Sequence, residues 1–455
     1  MAGGITKRAL RRSSRGIVVA FMLVAAVEAG AEPPGNDGVH LGVASCAGNN
    51  CHGAVERLKG SSVAQNEYLI WSQEADKHKI DKHHKAYGVL LDERAVRIAR
   101  NLGLPDAISA NICLNCHADN VSPERRGPRF QISDGVGCEA CHGGAAKWLG
   151  VHLSGSGHGA NLAAGLYPTE QPVARAERCL SCHFGDSTDA ARFVTHRIMG
   201  AGHPRMGFEL DTYTAAEPAH YTVDKGYIDR KGPVNDVQVW AIGQAISLIK
   251  RIDALLDPKS APKGIQPELV LFDCQSCHHA ISQIRWQPRS STGLGPGAIK
   301  LYDANAVMLR VLAAVVAPSA AKALNEHMLA LHHATTENWD MVIHEANEVR
   351  NAAIELEHVL SSRDFSRDDM KSLAKGVVAI GLAGDDVDYS GAEQATMALG
   401  SIASAMRTAG YLSTELTKMM NDALNGLEKS ISDPETYHPE AFVMALKDFE
   451  KTIPQ

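Results

Sequence analysis

The chain has 455 residues, 45% hydrophobic, 21% charged and 5% aromatic, with a formal net charge of −7. That length and apolar share suit a folded chain with a sizeable core and exclude a disordered or fibrous one. The acidic balance argues against a nucleic-acid partner.

Residues 1–31 read as a signal peptide. Lys7, Arg8, Arg11, Arg12 and Arg15 form a charged start, Gly16 to Val27 a short apolar run, and Ala29-Gly30-Ala31 a small-residue cleavage site. The run is too short to span a bilayer comfortably, and no later segment has the uninterrupted apolar length of a span. The processed chain is therefore expected in the periplasm or outside the cell, and not to cross a membrane. The leader carries five basic residues and one acid, so its removal takes the formal charge from −7 to −11.

Cysteines punctuate the next stretch, to about residue 290. Cys46-Ala-Gly-Asn-Asn-Cys51-His52 comes first. "DERAVRIARNLGL" then predicts a helix closed by Gly103. Cys113-Leu-Asn-Cys116-His117, Cys138-Glu-Ala-Cys141-His142 and Cys179-Leu-Ser-Cys182-His183 follow. A second helix is predicted from about Asp236 through "VNDVQVWAIGQAISLIKRIDALL", and Cys274-Gln-Ser-Cys277-His278 closes the series.

All ten cysteines thus fall into five pairs, each followed at once by histidine. Zinc explains paired cysteines, and disulfides explain an even count in an exported chain, but neither explains a histidine at one offset five times. C-x-x-C-H is the attachment pattern of c-type haem. Two thiols add across the vinyl groups, and the next imidazole becomes the proximal iron ligand. The four-residue spacer of the first pair is read as a variant of the same site, because its cysteines have no other partners. Five covalently bound haems are expected, with His52, His117, His142, His183 and His278 as proximal ligands. Peptide core is scarce in this stretch, so the macrocycles themselves should supply much of the buried apolar surface.

From about residue 300 there are no cysteines, and apolar residues recur every three or four positions. "DANAVMLRVLAAVVA" ends at Pro318, and Ser319 opens "AAKALNEHMLALHHA". "TENWDMVIHEANEVRNAAIELEHVL" follows, then a capping box at Ser366 to Asp369, then "GAEQATMALGSIASAMRTAG" stopping at Gly410. Two more helical stretches complete a bundle of five to seven helices. Its methionines Met308, Met328, Met341, Met397 and Met419 are read as core packing and not as axial ligands. The expected division is leader 1–31, pentahaem cytochrome c domain 32–295 and helical bundle 296–455. The expected fold class is mainly α, with little regular sheet.

Ten further histidines lie in the haem-dense part: His40, His78, His83, His84, His152, His158, His196, His203, His220 and His279. That surplus favours a second histidine on most irons, which makes an electron carrier; an empty sixth position makes a reactive iron.

"WSQEADKH" with "DKHHKAY", then "CLNCHA", "DGVGCEACHGG" and "CLSCHF" resemble, in this order, the multihaem cytochromes that accept electrons from hydroxylamine oxidoreductase. That superfamily also contains the pentahaem nitrite reductases. The resemblance covers about residues 41–210. It implies crossed ligation: His83 on the third haem, with His84 and His78 behind it, and His152 on the first, with His158 in reserve. It points to His196 or His203 for the fourth haem and implies no distal histidine on the second, where His158 or His40 compete. For the fifth haem His220, His279, His332 and His333 are candidates. No C-x-x-C-K occurs, which counts against the nitrite reductase activity.

The resulting expectation is an exported pentahaem c-type cytochrome that relays electrons between redox proteins, with basic partners steered by its acidic surface. The alternative is a reductase or oxidase of a small nitrogen or sulfur compound at one five-coordinate haem.

Overall fold

The computed structural model describes Met1 and residues 38–56, 65–72, 81–217, 220–221, 223–260, 267–278, 289, 291–295 and 297–454. The leader read over residues 1–31 lies, Met1 apart, outside the described residues. Within them the fold is mainly α. Their β pairing amounts to isolated bridges: His40 with Arg126, Gly185 with Phe193 and Phe272 with Leu301.

The cysteine-rich part is built from short helices that end on the motifs. Asn111–His117 and Cys138–His142 carry the second and third, and Pro172–His183 ends on the fourth. Pro172 starts that last helix, where a missing N–H costs nothing. The first motif follows a 3₁₀ turn, Val43–Ser45, and the fifth sits on another, Cys274–Ser276. Buried Glu139, between the cysteines of the third motif, accepts backbone N–H groups of Leu41 (2.8 Å), Gly42 (2.7 Å) and Ala145 (2.7 Å). It clasps the segment before the first motif onto the third. The "DERAVRIARNLGL" helix runs Glu93–Leu102, and Gly103 closes it at φ 75°, a left-handed conformation that glycine adopts without strain.

Seven helices follow residue 300: Ala304–Val316, Pro318–Ala334, Trp339–Ser361, Arg367–Ala383, Tyr389–Thr408, Thr414–Ser430 and Pro439–Glu450. The capping box at Ser366 has both its bonds. Pro318 does not end a helix but starts the next, at its first turn. Met308 and Met328 are in the core, whereas Met341 and Met419 are exposed: these two lie on the solvent face of their helices and do not pack.

The bundle closes around the Asp236–Leu256 helix, which is capped by Asn235 and buried on nearly every side. A helix apolar all round must be covered all round. Its neighbours are Trp339–Ser361, Ala304–Val316 and Tyr389–Thr408 on the bundle side and Pro172–His183 on the motif side. One hydrophobic core therefore runs from Ala176, Leu180 and Phe184 through Trp240 and Leu309 to Phe442 and Ile453. Packing is continuous across residues 295/296, and Asp37–Gln455 forms one compact unit.

Two polar systems cross that core. Arg251 Nε donates to Asn305 Oδ1 (3.0 Å), Asn305 to Gln244 (2.8 Å), Gln244 to Gln394 (2.8 Å), and Gln394 to the Phe208 carbonyl (2.9 Å). The buried amides satisfy one another, as a core demands. Nearby, Asp303 and Asp388 share Arg289 and Lys300 in a buried ion cluster. No helix of the described residues is long and apolar enough to cross a membrane.

Candidate haem-binding sites

All ten cysteines are free thiols, standing where a bound haem would have thioether sulfurs. Burial pushes the Cys179 thiol up to about 12. Cys46 lies near Cys138, and Cys116 near Cys182. Cys141 lies near both Cys179 and Cys182. The first motif thus adjoins the third, the third the fourth, and the fourth the second.

Each motif histidine faces a second histidine. His52 faces His152 with ring centroids 5.9 Å apart and planes at 16°. His117 faces His203 at 6.4 Å and 79°, and His142 faces His220 at 6.4 Å and 87°. His183 faces His83 at 6.2 Å and 88°, and His278 faces His196 at 6.1 Å and 36°. Two metal–nitrogen bonds of about 2 Å each, plus the two ring radii, come to roughly 6 Å. The gap between each pair is therefore the size of one iron held from both sides, and the residues fit haem.

Hydrogen bonds select the nitrogen that faces the gap. Nδ1 of His52 lies 2.9 Å from Glu67 Oε2, Nδ1 of His117 3.0 Å from the Ala86 carbonyl, and Nδ1 of His203 2.7 Å from the Pro204 carbonyl. These acceptors require a proton on Nδ1, which leaves Nε2 as the free lone pair. Asn161 stands 3.4 Å from His152 Nδ1, and its Oδ1 is buried without a partner. Turning that amide over, so that Oδ1 accepts from Nδ1, satisfies both groups. Burial pushes His142 down to about 3 and, with His83 nearby, His183 down to about 4. Both are neutral imidazoles, the form that binds metal. His52 and His83 move the other way, each raised first by its carboxylate partner, Glu67 or Asp81.

His152 stands opposite His52, the partner that the resemblance implies; the other distal assignments differ. His83 faces His183 of the fourth motif and not His142 of the third. Its carbonyl accepts from Val136, just before the third motif, so the backbone lies there while the ring reaches the fourth. Neither His196 nor His203 faces His183. The His196–Gly200 helix is tied by Glu268 to the fifth-motif segment, which brings His196 to His278. Asn101 and Arg94 hold the Ala201 and Gly202 carbonyls against the Glu93–Leu102 helix, which brings His203 to His117. His220 faces His142, not the fifth motif. His158 donates to Glu170 at 2.8 Å, His40 is bonded to Asp119 at 2.7 Å, and His332 to Asp303 at 3.2 Å. His84 packs edge-on against Trp71. His78 and His279 lie outside the described residues.

Sequence reasoning did not single out Glu67, Asp81 or Glu139. Only Asp81, two residues before His83, carried a local signal.

Residues 47–143 match the family model described as cytochrome c554 and c-prime. The match runs from just after Cys46 to just after His142, a shorter span than the resemblance over residues 41–210. It supports a multihaem c-type cytochrome with covalently bound haem and an electron-transfer role. Neither the curated proteins nor the solved structures yield a match.

Proposed function

We propose that the chain is an exported pentahaem c-type cytochrome that transfers electrons between redox proteins. The residues that would hold the five irons are His52 with His152, His117 with His203, His142 with His220, His183 with His83, and His278 with His196. The observation that carries this reading is the iron-sized gap between each of the five motif histidines and a second imidazole.

Haem, once bound, supplies the one-electron couple. The protein's own part is attachment, orientation and burial. Ten thiols would anchor five macrocycles, the histidine pairs would hold their irons, and Nδ1 acceptors orient the rings of His52, His117 and His203. The adjoining cysteines support the motif order first, third, fourth, second. The Thr195–His203 segment carries a ligand for the fifth site and one for the second, and so joins those two. The enzymatic alternative requires an open coordination position, and the pairing leaves none at these five sites. The acidic surface and the leader support basic partners in an oxidising compartment.

Mass spectrometry of the mature holoprotein tests the count, and electron paramagnetic resonance of the oxidised protein tests the ligation. A mass for five haems with every iron low-spin is expected. A mass for four, or a high-spin iron in the wild type, would overturn the corresponding site.

A further inference from the structure

We infer that Glu67 and Asp81 are positioning residues that set the reduction potentials of the first and fourth haem sites below that of the second. The inference rests on the axial pairs proposed above. What distinguishes the three sites is the group at the outer nitrogen of the ligating rings.

At the first site His52 Nδ1 donates to a carboxylate, Glu67 Oε2, at 2.9 Å. At the fourth, His83 Nδ1 lies 3.3 Å from Asp81 Oδ1 and 3.8 Å from Glu217 Oε1. The same Asp81 oxygen accepts the His83 backbone N–H at 2.8 Å, which fixes the residue beside its ring. Asp81 is only 2% exposed, so water screens its charge little. At the second site both rings donate to neutral backbone carbonyls, Ala86 and Pro204.

A carboxylate draws the Nδ1 proton more strongly than a carbonyl does and raises the basicity of the opposite nitrogen. A more basic ligand stabilises the oxidised iron, so the site accepts an electron less readily. Electron transfer is therefore downhill from the fourth site, the lower in potential, to the second, which adjoins it. Asp81, His83 and Glu217 are also close enough together to hold a metal ion. The His183 ring across from His83 assigns its Nε2 to haem, which leaves the two carboxylates to Nδ1.

The test is potentiometric titration, followed by electron paramagnetic resonance, of the wild-type holoprotein and its E67Q, D81N and E217Q variants, with haem content checked by mass. In the wild type the first and fourth sites should titrate below the second. E67Q should move one couple to more positive potential by about tenfold in its reduction equilibrium, which is about 59 mV for one electron. That couple should belong to the signal of the near-parallel His52–His152 pair. D81N should move a different couple likewise, and E217Q the same couple by less. If D81N fails to retain five haems, E217Q decides the fourth site. Variants that keep five low-spin haems and show no positive shift would overturn the inference and leave the axial pairs standing. A wild type without five low-spin haems would instead show that the axial assignment itself is wrong.

Discussion

Replacing His203 by glycine isolates one axial position. His203 faces His117 across 6.4 Å, a separation accounted for by two ring radii and two bonds of about 2 Å. Removing one ring clears half of that space, enough for a diatomic ligand or a free imidazole. The second site should become five-coordinate while the other four stay as they are. One iron of the five should turn high-spin, and the reduced variant should bind one equivalent of carbon monoxide, against none for the wild type. Added imidazole should restore the low-spin spectrum. His158→Ala is the matched control, because His158 is engaged by Glu170 at 2.8 Å and faces no motif histidine; it should bind no carbon monoxide. A wild type that already binds carbon monoxide, or a glycine variant that binds none, would refute the assignment of His203.

The ring planes predict the spectrum of the oxidised wild type: one rhombic low-spin signal from the 16° pair, three large-g signals from the pairs at 79°, 87° and 88°, and one intermediate signal from the pair at 36°. Five alike signals would contradict these geometries. Gln394→Leu removes the acceptor of the Gln244 side-chain N–H and the donor to the Phe208 carbonyl, and should cost about 2–4 kcal/mol in denaturant unfolding with haem content unchanged. Asp303→Asn breaks its buried pairs with Arg289 and Lys300 and should cost about 3–5 kcal/mol. Burial opposes ionisation of Asp303, but Arg289 and Lys300 outweigh it and hold the carboxyl well below its ordinary 3.8. The pair's contribution is therefore whole above pH 3.8 and is lost as the pH falls further. Unfolding midpoints measured down the acid range should decline less steeply in Asp303→Asn than in the wild type.

Chain truncation bears on the division at residues 295/296. The Asp236–Leu256 helix lies on the motif side of that boundary, yet its covering helices lie mostly beyond it. Cutting before Asp303 uncovers Trp240 and Leu248, both fully buried. The fourth-motif helix Pro172–His183 packs on the same element and is expected to lose support with it.

The haem chemistry was legible because it is local. In C-x-x-C-H both thiols and the proximal imidazole lie within five residues, so the backbone between them brings the groups together wherever the segment sits in the fold. Helices after residue 300 were legible for a similar reason, since apolar spacing, the Ser366 capping box and Gly410 act within a turn or two of the chain. The distal ligands are not local. Which ring faces His183 depends on a backbone bond from Val136 to His83, and which rings face His117 and His278 depends on Asn101, Arg94 and Glu268 holding the two ends of one short segment. A histidine in the sequence is equally suited to each of these irons or, like His158 and His40, to a carboxylate. The choice is made by long-range packing that brings one imidazole opposite one motif histidine, and only the tertiary structure decides it.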